Sequence, residues 1–231
     1  LIFESINNNI LTKLGYDLEN NISKLDISFT PNQLNNFKDL NVNYIKYDVL
    51  NEELNTETIP EELHGFVYCP GSINLRPFRS LKLSTFEEDL NINFLSMVKS
   101  LQKVINNLKK SGNASVVLFS TVAVKVGMPF HTSVSASKGA IEGFARSLAA
   151  EYAPLLRVNV IAPSLTDTPM AQRFLNNDLK KEKVGDKHPL KRHGNANDIA
   201  NSVVHLLSDN SSWITGQTFG VDGGMSSINL S

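Results

Sequence analysis

Residues 131–154 carry two side chains that could do proton chemistry, His131 and Lys138, in the stretch HTSVSASKGAIEGFARSLAAEYAP. A histidine can donate a proton near pH 7. The apolar residues of the stretch recur at helical spacing, at Ile141, Phe144, Ala145, Leu148 and Tyr152. This spacing predicts an amphipathic helix that follows His131 and ends before Pro154, because proline has no backbone N–H to donate. Val134, one turn before Lys138, cannot ionise.

Short β-rich runs alternate with helical patterns along the chain. The runs that predict strands lie at residues 1–4, 25–29, 43–47, 65–69, 114–120, 157–162 and 217–221. Helical patterns fall between them, at residues 9–19, 31–37, 85–110, 132–152 and 197–207. Such alternation predicts an α/β fold, a doubly wound parallel sheet with helices on both faces. Because no stretch has the composition of a linker, we expect residues 1–231 to form a single domain.

The composition argues against several classes of function. The net charge of −1 gives no reason to expect binding to nucleic acid or to a membrane. No apolar run reaches the ~18 residues of a membrane-spanning helix. The single cysteine, Cys69, cannot form an internal disulfide, which favours the cytoplasm. We expect no metal site, because His64, His188, His193 and His205 lack metal-ligand spacing to cysteine or acidic residues.

A basic segment lies towards the end of the chain. Residues 180–193 contain six Lys or Arg residues against only Glu182 and Asp186. Two interpretations are open. The segment is an ordinary solvated surface, or it belongs to a lid, about residues 167–193, that touches an anionic ligand or partner.

Three stretches of the sequence resemble the short-chain dehydrogenase/reductase family, and among its members the 3-oxoacyl-carrier-protein reductases most of all. They are SASKGAIEGFARSLAAEYAP, RVNVIAPSLTDTPM and PLKRHGNANDIANSVVHLLSDNSSWITGQTFGVDGGM. The resemblance runs from Leu1 to about Met225. It implies a single Rossmann-type domain, NAD or NADP as the cofactor, and assembly into an oligomer.

The resemblance also implies catalytic roles. Family members reduce a carbonyl by hydride transfer from NAD(P)H: a tyrosine supplies the proton, a lysine one turn later lowers the pKa of that tyrosine, a serine binds the carbonyl and an asparagine completes a proton relay. Lys138 and Asn93 match the lysine and the asparagine, and Thr121 keeps a hydroxyl at the serine position. Val134 stands at the tyrosine position. Loss of a positioned general acid slows a reaction by about 10²–10⁴-fold.

The cofactor site departs from the family at its glycine-rich turn, where the backbone normally approaches the pyrophosphate. The corresponding residues 4–11, ESINNNIL, contain no glycine and place Glu4 near the expected phosphates. The resemblance assigns further cofactor contacts to Asp48, Val49, Gly71, Lys138, Pro163, Thr166 and Thr168. Ser164 replaces a family glycine, and no basic residue stands near Thr30, which disfavours NADPH. We therefore expect impaired cofactor binding.

Three hypotheses follow for the function. The first is a family member that has lost its redox chemistry and acts as a non-catalytic subunit or a ligand-binding module. The second is an active NAD(P)H-dependent reductase of a small carbonyl compound, with His131 or water as the proton donor. The third is a lyase or isomerase that needs only Asn93, Thr121 and Lys138. The expected assembly is a homo-oligomer of two or four subunits, or a hetero-oligomer with a paralogous reductase.

Overall fold

The computed structural model describes residues 2–3, 25–28, 42–45 and 47–229 of the chain. The helices predicted at residues 9–19 and 31–37, the turn at residues 4–11 and Thr30 lie outside these ranges.

The described residues form nine strands, seven of which build one parallel sheet. The strands are β1 (Ile2–Phe3), β2 (Leu25–Ser28), β3 (Val42–Tyr44), β4 (Gly65–Tyr68), β5 (Ala114–Phe119), β6 (Leu156–Pro163), β7 (Thr166–Asp167), β8 (Gly194–Asn195) and β9 (Thr218–Val221). The large sheet has the order β3-β2-β1-β4-β5-β6-β9, so the chain builds outward from β1 in two directions. This order confirms the predicted doubly wound α/β fold. In such sheets ligands bind outside the carboxyl ends of the strands, where the strand order reverses.

Helices cover both faces of the sheet. They are α1 (Leu83–Leu90), α2 (Ser96–Ser111), α3 (Val122–Val126), α4 (Thr132–Tyr152), α5 (Asp178–Asp186) and α6 (Ala196–Leu207). Strand β5 shows why two layers are needed: Val116 and Leu118 pack with buried residues of α2 and α4, whereas Val117 packs with those of α6. Successive side chains of a strand point to opposite faces, so this apolar run needs a helical layer on each side.

Two regions differ from the sequence-based expectation. The helix predicted at residues 85–110 is divided: a π-helical turn, Asn91–Leu95, lies between α1 and α2. Two elements were not predicted from the sequence: α5, which lies within the lid segment, and the small β7–β8 sheet, whose strands lie at the two ends of that segment. Helix α5 has apolar residues only at Leu179 and Val184, so it lacks a core-facing stripe, and two-residue strands are too short to show a period. None of the described helices is long and apolar enough to cross a membrane.

Candidate active site

A cavity of about 620 Å³ opens at the carboxyl ends of β4, β5 and β6. This volume lies within the roughly 300–1,000 Å³ that is typical of small-molecule sites. The cavity brings together most of the residues that the sequence singled out: Gly71, Thr121, His131, Val134, Lys138, Pro163, Thr166 and Thr168. Each follows a strand end or stands near the start of α4, so the sheet and that helix position the whole set.

Asn93 lies behind the wall of the cavity, fully buried in the π-helical turn. Its side-chain Nδ2 donates to Ser137 Oγ at 3.1 Å and to Ser72 Oγ at 3.2 Å. Its Oδ1 accepts the backbone N–H of Ser72 at 3.0 Å. Every polar atom of the amide is therefore engaged within the protein. Asn93 ties α4 to the segment after β4 and holds the shape of the site.

A buried carboxylate that the sequence analysis missed completes this network. Asp89 has no exposed surface, and its oxygens accept hydrogen bonds from Ser72 Oγ at 2.5 Å, Asn74 Nδ2 at 2.8 Å and Ser133 Oγ at 2.6 Å. Three donors satisfy a charge that burial would otherwise penalise heavily. The sequence could have indicated Asp89, because it is an acidic residue one turn before Asn93 on the same predicted helix.

Lys138 extends into the cavity beside Gly71. A Cβ atom at Gly71 would lie 2.8 Å from Asn93 Oδ1 and 3.4 Å from Lys138 Nζ, so the absence of a side chain there lets these groups approach. Loss of hydration lowers the pKa of Lys138 to about 8, although the nearby Cys69 and Asp89 partly oppose the shift. The ammonium therefore loses its proton at a lower pH than an exposed lysine does. Cys69 also lines the cavity.

Val134 occupies the position one turn before Lys138. Its side chain lines the cavity and is 5% exposed. Ser137 Oγ, three residues later on the same helix, donates to the Val134 carbonyl oxygen at 3.1 Å and accepts from Asn93, so it faces the protein network. Ser137 therefore does not replace a phenol at this position.

Thr121 contributes a hydroxyl to the lining of the cavity. It is the residue before α3, and its Oγ1 accepts the backbone N–H of Ala123 at 3.3 Å. This cap uses the oxygen as an acceptor and leaves the hydroxyl proton for a ligand oxygen. The neighbouring Ser120 is unsuitable, because its buried hydroxyl donates to Glu142 Oε1 at 2.6 Å.

His131 lines the cavity at the start of α4. Its Nδ1 lies 2.7 Å from the carbonyl oxygen of Pro129, so Nδ1 carries a proton and donates it there. In the neutral ring Nε2 is then an acceptor. His131 could deliver a proton to a ligand only through Nε2 of the charged imidazolium.

The far wall of the cavity contains a hydrogen-bonded pair that the sequence analysis missed. Ser164 Oγ lies 2.7 Å from Nε2 of His188, whose Nδ1 lies 2.8 Å from the Val184 carbonyl. His188 is 2% exposed. The pair ties the loop after β6 to the lid segment. Beside it, the Thr166 hydroxyl donates to the Ser164 carbonyl at 3.0 Å.

Asp48 and Val49 do not line this cavity. Asp48 is exposed in a turn, where Oδ2 accepts from Asn51 Nδ2 at 2.9 Å and Oδ1 accepts the Leu50 N–H at 2.9 Å. These bonds, chiefly that from Asn51, hold the pKa of Asp48 below its usual value. Val49 packs against the core. Their contact with an adenine stays a prediction. Within the described part of the chain, no cluster of three or more His, Cys, Asp or Glu residues could hold a metal ion.

Comparisons with known proteins agree with this architecture. Residues 38–226 match the family model described as enoyl-(acyl carrier protein) reductase. The 3-oxoacyl-[acyl-carrier-protein] reductase of Thermotoga maritima is 32% identical over 146 residues, which cover 63% of this chain and 58% of that protein. The matched segment thus spans little more than half of that relative.

Two further matches bear on the site. The inactive 2-(S)-hydroxypropyl-CoM dehydrogenase 2 of Xanthobacter autotrophicus is 30% identical over 171 residues, which cover 72% of this chain and 74% of that protein. The structure of ElxO with NADP bound superposes with a TM-score of 0.86 at 20% identity, over 98% of each chain. The second match supports the fold alone.

Proposed function

This chain belongs to the short-chain dehydrogenase/reductase family, and we propose that it binds a small molecule in the cavity without reducing it. The observation that carries the proposal is Val134. A well-formed cavity is retained around Lys138 and Thr121, yet the side chain that should donate the proton is an alkyl group. One relative in the family is itself named as inactive. In this proposal the polar residues of the cavity position a ligand such as a carbonyl compound.

The described residues fit the nicotinamide end of the family's cofactor, NAD or NADP. Gly71 has no side chain to fill the space beside Lys138, and the hydroxyls of Thr166 and Thr168 line the same cavity. Lys138 would hold the ribose, and the two threonines would hold the nicotinamide amide and phosphate. When bound, the cofactor would supply a hydride. The ESINNNIL sequence opposes binding of the pyrophosphate, so we propose that cofactor affinity is low.

A thermal-shift experiment tests this part of the proposal. A ligand that binds only the folded state stabilises it by RT ln(1 + [L]/Kd), about 2.7 kcal/mol at a hundredfold excess over Kd. Millimolar NADH or NADPH is expected to leave the melting temperature unchanged. A shift of several degrees for either cofactor, confirmed by calorimetry, would contradict low affinity and move the search to carbonyl substrates.

The second candidate function is an active reductase, favoured by the presence of His131, Thr121 and Lys138 around one cavity. It requires a charged His131, since Nε2 of the neutral ring carries no proton. Cofactor oxidation that is lost in His131→Gln would support this candidate. The third candidate, a lyase or isomerase, fails if an activity survives in the double variant Lys138→Ala/Thr121→Val.

We further propose that the chain assembles with a second family subunit, either a copy of itself or a paralogous reductase. Strand β9 forms one edge of the described sheet and contains the exposed Phe219, and Trp213, which is 99% exposed, lies shortly before the strand. An exposed edge strand flanked by aromatic residues is a surface that pairs readily. Light scattering on the purified protein is expected to give a dimer or tetramer, and a monomer would contradict the proposal. We also propose a cytoplasmic location, which the single cysteine supports.

A further inference from the structure

Among the described residues, the charged side chains that line the cavity all have one sign. Five basic side chains line it, namely Lys138, Arg173, Lys180, Lys183 and Lys187. Among the described residues that line the cavity, there is no aspartate or glutamate. For a chain with 22 basic and 23 acidic residues overall, this separation is local to the cavity.

The basic and acidic residues of helix α5 lie on different sides of the helix. Lys180, Lys183 and Lys187 follow a spacing of three and four residues, which places them on one side of the helix and at its end, facing the cavity mouth. The acidic residues Asp178, Glu182 and Asp186 do not line the cavity. Lys181, on another side, forms an ion pair with Asp167 at 3.4 Å.

Two of the cavity-facing cations, Arg173 and Lys180, contact neutral partners. The Arg173 guanidinium donates to the Ile73 carbonyl and lies 4.6 Å from the Phe174 ring centroid. The Lys180 ammonium lies 3.4 Å from the Arg173 carbonyl oxygen. Carbonyl and aromatic partners orient these groups without neutralising them, so their charge is available to an incoming anion.

The lining of the cavity is mostly apolar. Side chains that line it include Leu75, Phe119, Met128, Leu165, Met170 and Val184. An apolar interior beneath a basic mouth matches a molecule with an apolar body and a negatively charged end. Strongly hydrated anions of small size would leave the apolar interior unfilled, and neutral lipophiles would leave the cations unused.

We propose that the ligand of this cavity is an anionic amphiphile, an aliphatic or aromatic body that ends in a carboxylate or a phosphate, with the anion held by Lys180, Lys183 and Lys187. This inference rests on the proposed ligand-binding function and names the class of ligand. The lysines of α5 are exposed, so each contributes a modest attraction, about 0.2–1 kcal/mol or 1.4- to 5-fold in affinity. Together they favour the anion by roughly tenfold.

Calorimetry with four ligands of one chain length tests the inference. The probes are decanoate, decyl phosphate, decanol and decyltrimethylammonium, each below its aggregation concentration. Decanoate or decyl phosphate is expected to bind at least tenfold more tightly than decanol, and the cation is not expected to bind. The relative affinities of the carboxylate and the phosphate identify which anion the site prefers.

Matched variants test whether Lys180, Lys183 and Lys187 cause the preference for anions. The triple variant Lys180→Gln/Lys183→Gln/Lys187→Gln is expected to weaken anion binding about tenfold and to leave decanol unchanged. Lys99→Gln/Lys103→Gln/Lys110→Gln alters the net charge equally, at lysines paired with Glu53 and Glu61 away from the cavity, and is expected to retain wild-type affinity.

The outcomes separate this inference from the function on which it rests. Equal affinity for decanol and decanoate would overturn the anion preference while leaving a ligand-binding cavity in place. Failure of all four probes to bind would contradict the proposal that the cavity binds an amphiphile. The proposed loss of redox chemistry is decided independently, by whether the protein oxidises NADH or NADPH.

Discussion

Val134 and Lys138 lie one turn apart on α4, and both side chains line the same cavity. The lysine therefore faces the space where it would act, while its neighbour presents only methyl groups. Lys138 retains a pKa shifted by its surroundings, to about 8, and so an electrostatic environment built for chemistry persists without a proton donor. The proposed loss of redox chemistry rests on this combination of a retained lysine and a missing tyrosine.

Replacement of Val134 by tyrosine tests whether that environment is intact. A cation nearby favours the charged form of a phenol, so the introduced phenol is expected to titrate at a lower pH in Val134→Tyr than in Val134→Tyr/Lys138→Met. Phenolate absorbance measured against pH compares the two variants. Identical titration curves would show that the Lys138 ammonium does not reach this position.

Lys138 makes stability depend on pH in a defined window. Its pKa is about 8 in the folded protein and near 10.5 when unfolded, so the unfolded chain binds more protons between these values. Folding stability contributed by this group therefore rises as the pH increases from 8 towards 10.5. Lys138→Met is expected to melt above the wild type at pH 7, with the difference shrinking by pH 10. The control Lys125→Met, at an exposed lysine, should show no such trend.

Gly71 allows a sharp steric test. Alanine there would put Cβ 2.8 Å from Asn93 Oδ1, which cannot withdraw without breaking its bond to the Ser72 N–H. Gly71→Ala is expected to destabilise the protein by about 1–3 kcal/mol, the usual range for overpacking. Gly143→Ala is the matched control on α4, where nothing lies within 4 Å, and it should stabilise by about 0.4–1 kcal/mol. Urea unfolding measures both, and equal effects would contradict the close approach at Gly71.

Asp89 is expected to be a structural centre of the site. Asp89→Ala leaves the hydroxyls of Ser72 and Ser133 and the Asn74 amide without their acceptor, at about 1–3 kcal/mol for each buried group left unsatisfied. Asp89→Asn keeps one acceptor oxygen and should cost less. The exposed neighbour Glu88→Ala is the control in the same unfolding experiment. If Asp89→Ala matches that control, the carboxylate does not organise the site.

The sequence predicted the parallel sheet because each strand is a short apolar run, and β5 shows the pattern with Val116, Val117 and Leu118 buried on both faces. Helix α4 follows from its apolar spacing and from Pro154. Gly71, Thr121 and Thr166 follow three neighbouring strands of this parallel sheet, so the predicted fold by itself brings them together. Resemblance supplied the roles of these residues, which periodicity alone does not give.

The missed features depend on contacts between distant parts of the chain. The Ser164–His188 pair joins residues 24 positions apart, and the Asp89–Ser133 bond spans 44 positions. Neither has a local sequence pattern. Helix α5 lacks an apolar stripe because one side faces the cavity and the other faces solvent. What repeats at helical spacing along α5 is therefore the sign of the charge and not hydrophobicity.

The most direct test of the account is cofactor oxidation under single-turnover conditions, with the protein in excess over NADH or NADPH. The substrates are simple aldehydes and ketones and a keto acid of ten carbons, with an active family reductase run in parallel. The account predicts no oxidation above the protein-free rate, because Val134 cannot supply a proton. Oxidation by the wild-type protein that disappears in His131→Gln would contradict it and establish a working reductase with a histidine proton donor.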